Sequence, residues 1–436
     1  MSTTSTDILV VGGGPAGTAT ALRLARAGHA VILLERRAGS WDRARGDLHV
    51  PPAVAEFDDL GVLPTPDASD GHAAHELKGV RTWVGDRSVA LPWPNHHAPP
   101  ALVWPRSSLD AALRAAALAA GVQVRLGTEA VSPIVERGFV RGAVVRRTDL
   151  AGDEPTPATG LGVAAETEAI RCRFLVIADG ARSRFGRSLG THRDRRWPST
   201  VSAAAYFASD RHGDRWADTM LGLPGPDGEP ITGHGWFHPM GDGRVSVGVN
   251  VSSSYRDVLG INVLKLLNHF THSHADRWQI TPGAPLTEPA RMRTPAGGSI
   301  NPTMGPTFLV VGDAAGMANP LTGHGTHNAL VTARLCAEVL SEALNVGNST
   351  TLQRYPALVA DELAEYEKVA RLAVRFLGRP AVLRAALRFG ITNERVMGAG
   401  LRIATQQLRT SPSGERGGTE RLYRTAARVA SFLPSW

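Results

Sequence analysis

Residues 7–11 form a short, nearly all-apolar run, and residues 18–27 (T-A-T-A-L-R-L-A-R-A) then set small and apolar side chains along one face at helical spacing. Gly28 fits the stop of that helix, and residues 31–34 (V-I-L-L) read as a second buried strand ending in Glu35. The pattern predicts a strand–helix–strand unit at the N-terminus. Residues 53–60 read as a short helix, and residues 77–91 alternate and reverse at Gly85 and Asp86, as a hairpin does. A helix is predicted over 107–120 with Ser107 or Ser108 as its cap. Strands follow at 122–126, 131–136 and 142–147, then a flexible turn over 149–162.

Residues 173–178 (R-F-L-V-I-A) form a buried strand ending in Asp179 and Gly180, and residues 308–311 form another ending in Gly312 and Asp313. Between them, 200–209 and 243–252 have the character of strands in a second, sheet-rich region. From residue 328 the pattern turns helical, over 328–344, 352–377, 380–389 and 420–432, the last with Thr419 as cap. Apolar strand ends alternating with helices predict an α/β fold with a parallel sheet.

Length and composition narrow the picture further. A chain of 436 residues exceeds one ordinary core, so two or three substructures are expected, and 43% hydrophobic with 20% charged residues marks it as globular. No apolar run approaches the roughly 20 residues of a membrane span, and residues 1–6 are polar, which points to the cytoplasm. Cys172 and Cys336 are the only cysteines, and Cys172 falls in a strand-like run where a core role is expected. The net charge is +7, yet Lys78, Lys265 and Lys368 are the only lysines among 47 basic residues, and the arginines are dispersed. That distribution argues against nucleic-acid binding.

Candidate chemistry lies at the strand ends. In V-V-G-G-G-P-A-G (residues 10–17), Gly12 permits a tight turn, Gly14 lets a pyrophosphate approach the backbone, and Gly17 lets the helix pack closely on the strand. Pro15 and Ala16 open that helix, whose free N–H groups suit phosphate oxygens. Glu35 can accept both ribose hydroxyls of an adenosine, with Arg36 beside it. No second glycine fingerprint follows a strand, so no separate nicotinamide domain is expected. One extended dinucleotide could touch this turn, Asp179-Gly180, and the segment V-V-G-D-A-A-G-M-A-N-P-L-T-G-H-G at 310–325. Asp313 can bond a ribityl hydroxyl, while Pro320, Gly323, His324 and Gly325 open a long helix whose N-terminus would stabilise negative charge on a reduced flavin. FAD suits this geometry better than NAD.

These motifs together resemble those of the FAD-dependent aromatic hydroxylases of the p-hydroxybenzoate hydroxylase type, the geranylgeranyl reductase-like oxidoreductases and the flavin-dependent halogenases, over roughly residues 7–344. R-S-S-L-D at 106–110 is similar to that superfamily's Arg-x-x-Leu-Asp helix start, which implies that Arg106 faces the cofactor. D-G-A-R-S at 179–183 resembles a motif associated with FAD and reduced nicotinamide, and the 312–325 segment resembles the flavin-ribityl motif in its reductase-like form. G-H-G-W-F-H-P-M-G-D-G at 233–243 is similar to a substrate-domain strand of reductases and halogenases, with His238 in place of the reductases' phenylalanine.

The resemblance implies a Rossmann-type FAD-binding domain (1–75, 101–190 and 290–345), an inserted mixed-sheet substrate domain (76–100 and 191–289) and a C-terminal helical region (346–436). Reductases of this type often carry a cysteine after the acidic strand end, whereas this chain has R-A-R-G-D at 43–47, and Arg43-x-Arg45 resembles the hydroxylases. Lys78, the one lysine near the hairpin, is expected to be a solvated strand residue, which disfavours halogenation. His324 stands where many reductase-like relatives have Glu.

The expected activity is therefore FAD-dependent monooxygenation of an apolar or aromatic small molecule, in specialised metabolism, with NAD(P)H as reductant and dioxygen as co-substrate. The alternatives are ene-reduction of the geranylgeranyl reductase kind and a redox-inert FAD-containing cyclase or binding protein. His324, Arg45 and Trp236 are the catalytic candidates; His234, Trp236 and His238 share one strand face that could wall a substrate pocket. His327 is expected to satisfy helix-terminal hydrogen bonds. His96 and His97 belong to a loop without metal-like partners, and no metal is expected. The helical tail is expected to cover the pocket or form a dimer face, with membrane association the lesser alternative and a monomer or homodimer the assembly.

Overall fold

The alternation of apolar runs and helices resolves, in a computed structural model, into two large sheets, two small ones of three and two strands, and a helical cap. The structure describes residues 3–39, 42–64, 73–93, 99–148, 167–225, 228–254 and 258–407. The first sheet has eight strands. Its parallel heart is Thr3–Val11, flanked by Thr167–Ile177 and Val31–Glu35, with Phe308–Val310 and Gln123–Leu126 outside them. Thr128–Glu136 and Phe139–Arg147 pair as a hairpin laid antiparallel on Thr167–Ile177. The C-terminal halves of the central strands (residues 8–11, 31–34 and 174–177) are apolar throughout because both faces are covered there, as parallel sheets require. Helix Pro15–Arg26 packs against helices Arg106–Ala119 and Thr326–Val346 over this core.

The second sheet runs Ala290–Pro295, Ser199–Ala208, Arg244–Ser252, Gly233–Pro239, Trp216–Leu221, Gly79–Val84, Arg87–Pro92, and is antiparallel except where Gly79–Val84 runs parallel to Trp216–Leu221. Period-two alternation gives it two different faces. On one, Val247, Val249, Val251, Ala203, Ala205 and Phe237 pack under helix Val263–Ser273 and against Trp278. The other face, built largely from small and polar residues, looks back toward the first sheet.

Several expectations are corrected. Residues 290–295, assigned on the sequence to the nucleotide-binding part, pair with Ser199–Ala208 in the second sheet. Helix Arg106–Ala119 has Pro105 at its N-cap and no side-chain cap from Ser107 or Ser108; Asp47 Oδ1 accepts the Arg106 N–H at 3.2 Å. The helix expected over 352–377 is present and continuous, its backbone αR at each junction, but it opens with a 3₁₀ turn and carries a π bulge at Ala360–Ala364. Helix Val263–Ser273 was not foreseen, although Asn262 caps it by accepting from Leu264 and Lys265 N–H, a signal the sequence carries. Helix Glu394–Ala404 was also missed, its periodicity diluted by Gly398 and Gly400. The turn over 149–162 and the helix over 420–432 lie outside the described residues. No described helix is long and apolar enough to cross a membrane.

The crossing of Pro15–Arg26 over its strand is set by glycine. A methyl at Gly17 would stand 1.9 Å from the Gly12 carbonyl oxygen. Gly17→Ala must therefore push the helix off the strand, with an expected loss of about 2–3 kcal/mol, read as a lower urea midpoint. Gly39→Ala, whose methyl meets nothing within 4 Å, should stay within about 0.5 kcal/mol of the parent.

Candidate active site

Three strands of the first sheet end at one cavity. At the first, Gly12 takes φ +113°, a region other residues rarely enter, and a Cβ there would lie 2.3 Å from the Ala178 carbonyl oxygen. The chain then enters helix Pro15–Arg26 with Gly14 at its N-cap and no side-chain cap, so first-turn N–H groups remain available to a ligand. Glu35 Oε2 accepts the Gly13 N–H at 3.0 Å, while Oε1 accepts both the backbone N–H and Nε of Arg37, each at 3.0 Å. Burial works to raise the Glu35 pKa, but the Arg37 cation and these hydrogen bonds prevail and hold it below the usual carboxylate value.

At the second strand end, Asp179 Oδ2 accepts the Phe185 N–H at 3.0 Å, whereas Oδ1 is buried with no hydrogen-bond partner. Burial raises its pKa. Gly180 follows with φ +78°. At the third, burial also raises Asp313, opposed by the Arg45 and Arg106 cations. Gly325 leaves room for the Asp313 carboxylate, since a Cβ would stand 2.7 Å from its Oδ1 and would displace it. Gly325 is the N-cap of Thr326–Val346 and, like Gly14, leaves that helix without a side-chain cap. The turn before it is braced by Asn319, whose Oδ1 accepts from Leu321 and Thr322 N–H and whose Nδ2 donates to the Ala404 carbonyl.

Two uncapped helix N-termini, a carboxylate oxygen without a partner and arginines beside Asp313 fit a long, polar, anionic cofactor with hydroxyl groups to bond. Gly12, Gly14, Pro15, Ala16, Glu35, Arg36, Arg45, Arg106, Asp179, Gly180, Asp313, Gly323, His324 and Gly325 all line the cavity. Gly17 does not; it lies beneath Gly12 as a packing residue. Pro320 is also absent from the wall, packing instead beside Gly297. His327 is drawn to the Pro52 backbone and away from the cavity. The Lys78 backbone is held by Arg215, and its side chain takes no part in the cavity wall. His96 and His97 lie outside the described residues.

The second sheet supplies the opposite wall through Thr200, Ser202, Ala204, Ser246 and Asn250. Trp236 lies flat over Gly248, where a Cβ would fall 2.1 Å from its ring. His234 and His238 flank Trp236 with ring centroids 5.8 Å away on either side, His238 nearly parallel at 20°. Burial lowers His234 to about 3, His324 to about 4, and His238 well below its ordinary value. These imidazoles are neutral at pH 7.

Asp47 is the residue that the sequence reading overlooked. It is 2% exposed, accepts from Tyr206 Oη at 2.9 Å and Ser246 Oγ at 2.9 Å, and so ties the 43–47 loop to two strands of the second sheet. An aspartate in a polar, arginine-rich loop gives no sign of such burial; the partners sit 159 and 199 residues away. Beyond the wall, Leu401 and Trp236 both pack against the cluster that holds Tyr206, and Ile403 and Leu321 both pack against Tyr366, Val369 and Ala370. The C-terminal helices thus pack behind this wall, and none of their described residues lines the cavity.

Residues 5–228 match the family described as FAD binding domain. The chain is 32% identical to a menaquinone reductase of Mycobacterium tuberculosis over 381 residues, covering 87% of this chain and 86% of that one. It is 29% identical to digeranylgeranylglycerophospholipid reductase 1 of Methanopyrus kandleri, covering 85% and 90%. The fold superposes on a geranylgeranyl bacteriochlorophyll reductase-like protein of Thermoplasma acidophilum with a TM-score of 0.76 at 21% identity, over 98% of this chain and 100% of the other.

Burial raises the Asp47 pKa from 3.8 to about 6, against the hydrogen bonds that favour its charged form. A carboxyl raised on folding gives stability that is present at low pH and lost as pH rises from about 4 through 6. The Asp47→Asn variant, which cannot titrate, should therefore gain on the parent across that window by up to about 3 kcal/mol, with no further change above it. Urea denaturation of both proteins at each pH measures this; a difference that is flat from pH 4 to 7 would contradict the assignment.

Proposed function

The chain belongs to the FAD binding domain family and is an FAD-dependent oxidoreductase, and from that premise we propose that it reduces a carbon–carbon double bond in an apolar, isoprenoid-bearing molecule. The observation that carries this reading is end-to-end similarity to two kinds of reductase, each matched over more than four fifths of both chains. Bound FAD would supply a two-electron carrier between reduced nicotinamide and the substrate. In this reading Gly12, Gly14, Pro15 and Ala16 hold the pyrophosphate, Glu35 and Arg36 the adenosine end, and Asp179 and Asp313 hydroxyl groups of the cofactor. Arg45 and Arg106 balance its negative charge, and the helix N-terminus at Gly323, His324 and Gly325 faces the flavin edge. The eight-stranded unit holds the cofactor, the seven-stranded sheet presents the substrate, and the helices after residue 346 pack behind its wall. NAD(P)H as reductant and a cytoplasmic site of action complete the proposal.

Monooxygenation is the second reading, favoured by the position of Arg45 in the cavity wall, where the resemblance to hydroxylases implied arginines. Anaerobic mixing with NADPH should bleach the flavin under both. With a polyprenyl quinone, colour returns without oxygen for a reductase, and the product gains two hydrogens; a monooxygenase regains colour only when oxygen is admitted, and its product gains an oxygen atom. A flavin that never bleaches while product forms would defeat both readings. Asp313→Ala should weaken FAD binding by roughly tenfold, measured as flavin retained on dialysis.

A further inference from the structure

Next to the turn assigned to the cofactor, and sharing only His324 with it, one part of the cavity has a construction of its own. Along Gly233–Pro239, alternate residues place His234, Trp236 and His238 on the face turned to the cavity. Gly248 on the neighbouring strand has no side chain, so the indole of Trp236 lies down across it. Next to this ring stands His238, 5% exposed, stacked at 20° and without a hydrogen-bond partner among the described residues. His324 lies close enough to both histidines to act on them electrostatically. The His238 ring borders open cavity, so its nitrogens are left for a ligand to bond.

We infer that Trp236, His238 and His324 form a subsite for an uncharged planar ring carrying an oxygen substituent, stacked on the indole with its oxygen hydrogen-bonded by the imidazoles. The indole supplies a flat apolar surface and each neutral imidazole supplies one donor and one acceptor, so a carbonyl or a hydroxyl is served equally. A carboxylate gains no ion pair from these neutral rings; of the cavity's arginines, Arg291 and Arg293 stand on strand Ala290–Pro295 at the far side of the same sheet, and Arg45 and Arg106 act on Asp313. The nearest edge of the second sheet to the 319–325 turn is Thr200 and Asn250, and Trp236 lies further along the same face. The ring therefore occupies the part of the substrate site beyond that turn. This assignment rests on reading the cavity as a substrate site.

Calorimetric titration of the oxidised holoenzyme with menadione, 1-naphthol, 2-naphthoate and naphthalene tests it. Menadione or 1-naphthol should bind at least tenfold tighter than naphthalene and than naphthoate, and whichever of the two is tighter identifies the imidazoles as donors or acceptors. His238→Phe, which keeps a ring but loses the polar edge, and Gly248→Ala, which lifts the indole, should each weaken the preferred ligand about tenfold; Trp236→Phe should cost less than threefold. Flavin content and melting temperature identify any variant that has failed to fold. Equal binding of naphthoate, no preference over naphthalene, or unchanged affinity in correctly folded His238→Phe and Gly248→Ala overturns the subsite. Those failures leave anaerobic flavin bleaching and substrate-driven reoxidation untouched, so they are separable from failure of the proposed reaction.

Discussion

Contact between backbone and backbone at Gly12 and Gly17 is the constraint from which the architecture follows. Any side chain at either position would occupy the space of a carbonyl group: bare Gly17 lets the first helix lie on the end of the first strand, and bare Gly12 lets that strand end lie against Ala178 at the end of the neighbouring strand. That approach aims the helix N-terminus at the strand ends, where Asp179 and Asp313 also arrive. The same solution recurs at Gly325, whose missing side chain makes room for Asp313 and leaves a second helix N-terminus open. A cofactor site built this way depends on backbone dipoles and on carboxylates whose desolvation is incompletely offset by the protein alone.

The second sheet depends on the first through a small buried network. Asp47, Tyr206 and Ser246 join a loop from the cofactor side to two strands of the opposite wall, and Asp47 also takes the place of a helix cap at Arg106. A carboxylate this deeply buried is tolerated because three donors meet it, and its raised pKa reflects the part of the desolvation they do not offset. The network fixes the distance between the two walls, and with it the width of the cavity where Trp236 and His238 stand. Glycine acts again within that wall: Gly248 gives the indole its seat on one face, and Gly235 admits the Phe270 ring on the other, where a Cβ would come within 2.3 Å.

The strand ends were legible in the sequence because their signals are local. An apolar run breaking into Gly12, Gly14 and Gly17, an acid at position 35, and Asp-Gly or Gly-Asp steps after buried strands each state a backbone requirement within a few residues. The alternation His234, Trp236, His238 likewise fixed a shared face. Local pattern determined the α/β class, the parallel heart of the first sheet and most of the cavity wall at the strand ends. Tertiary structure alone decided the rest, since it depends on which distant segments meet. Strand 290–295 joins the second sheet because its partner is Ser199–Ala208, a pairing that no pattern within the strand encodes. Pro320 turns toward Gly297, and Asp47 becomes the tie between walls only through Tyr206 and Ser246. Desolvation is likewise a property of the assembled cavity, so the neutral state of its histidines belongs to the fold.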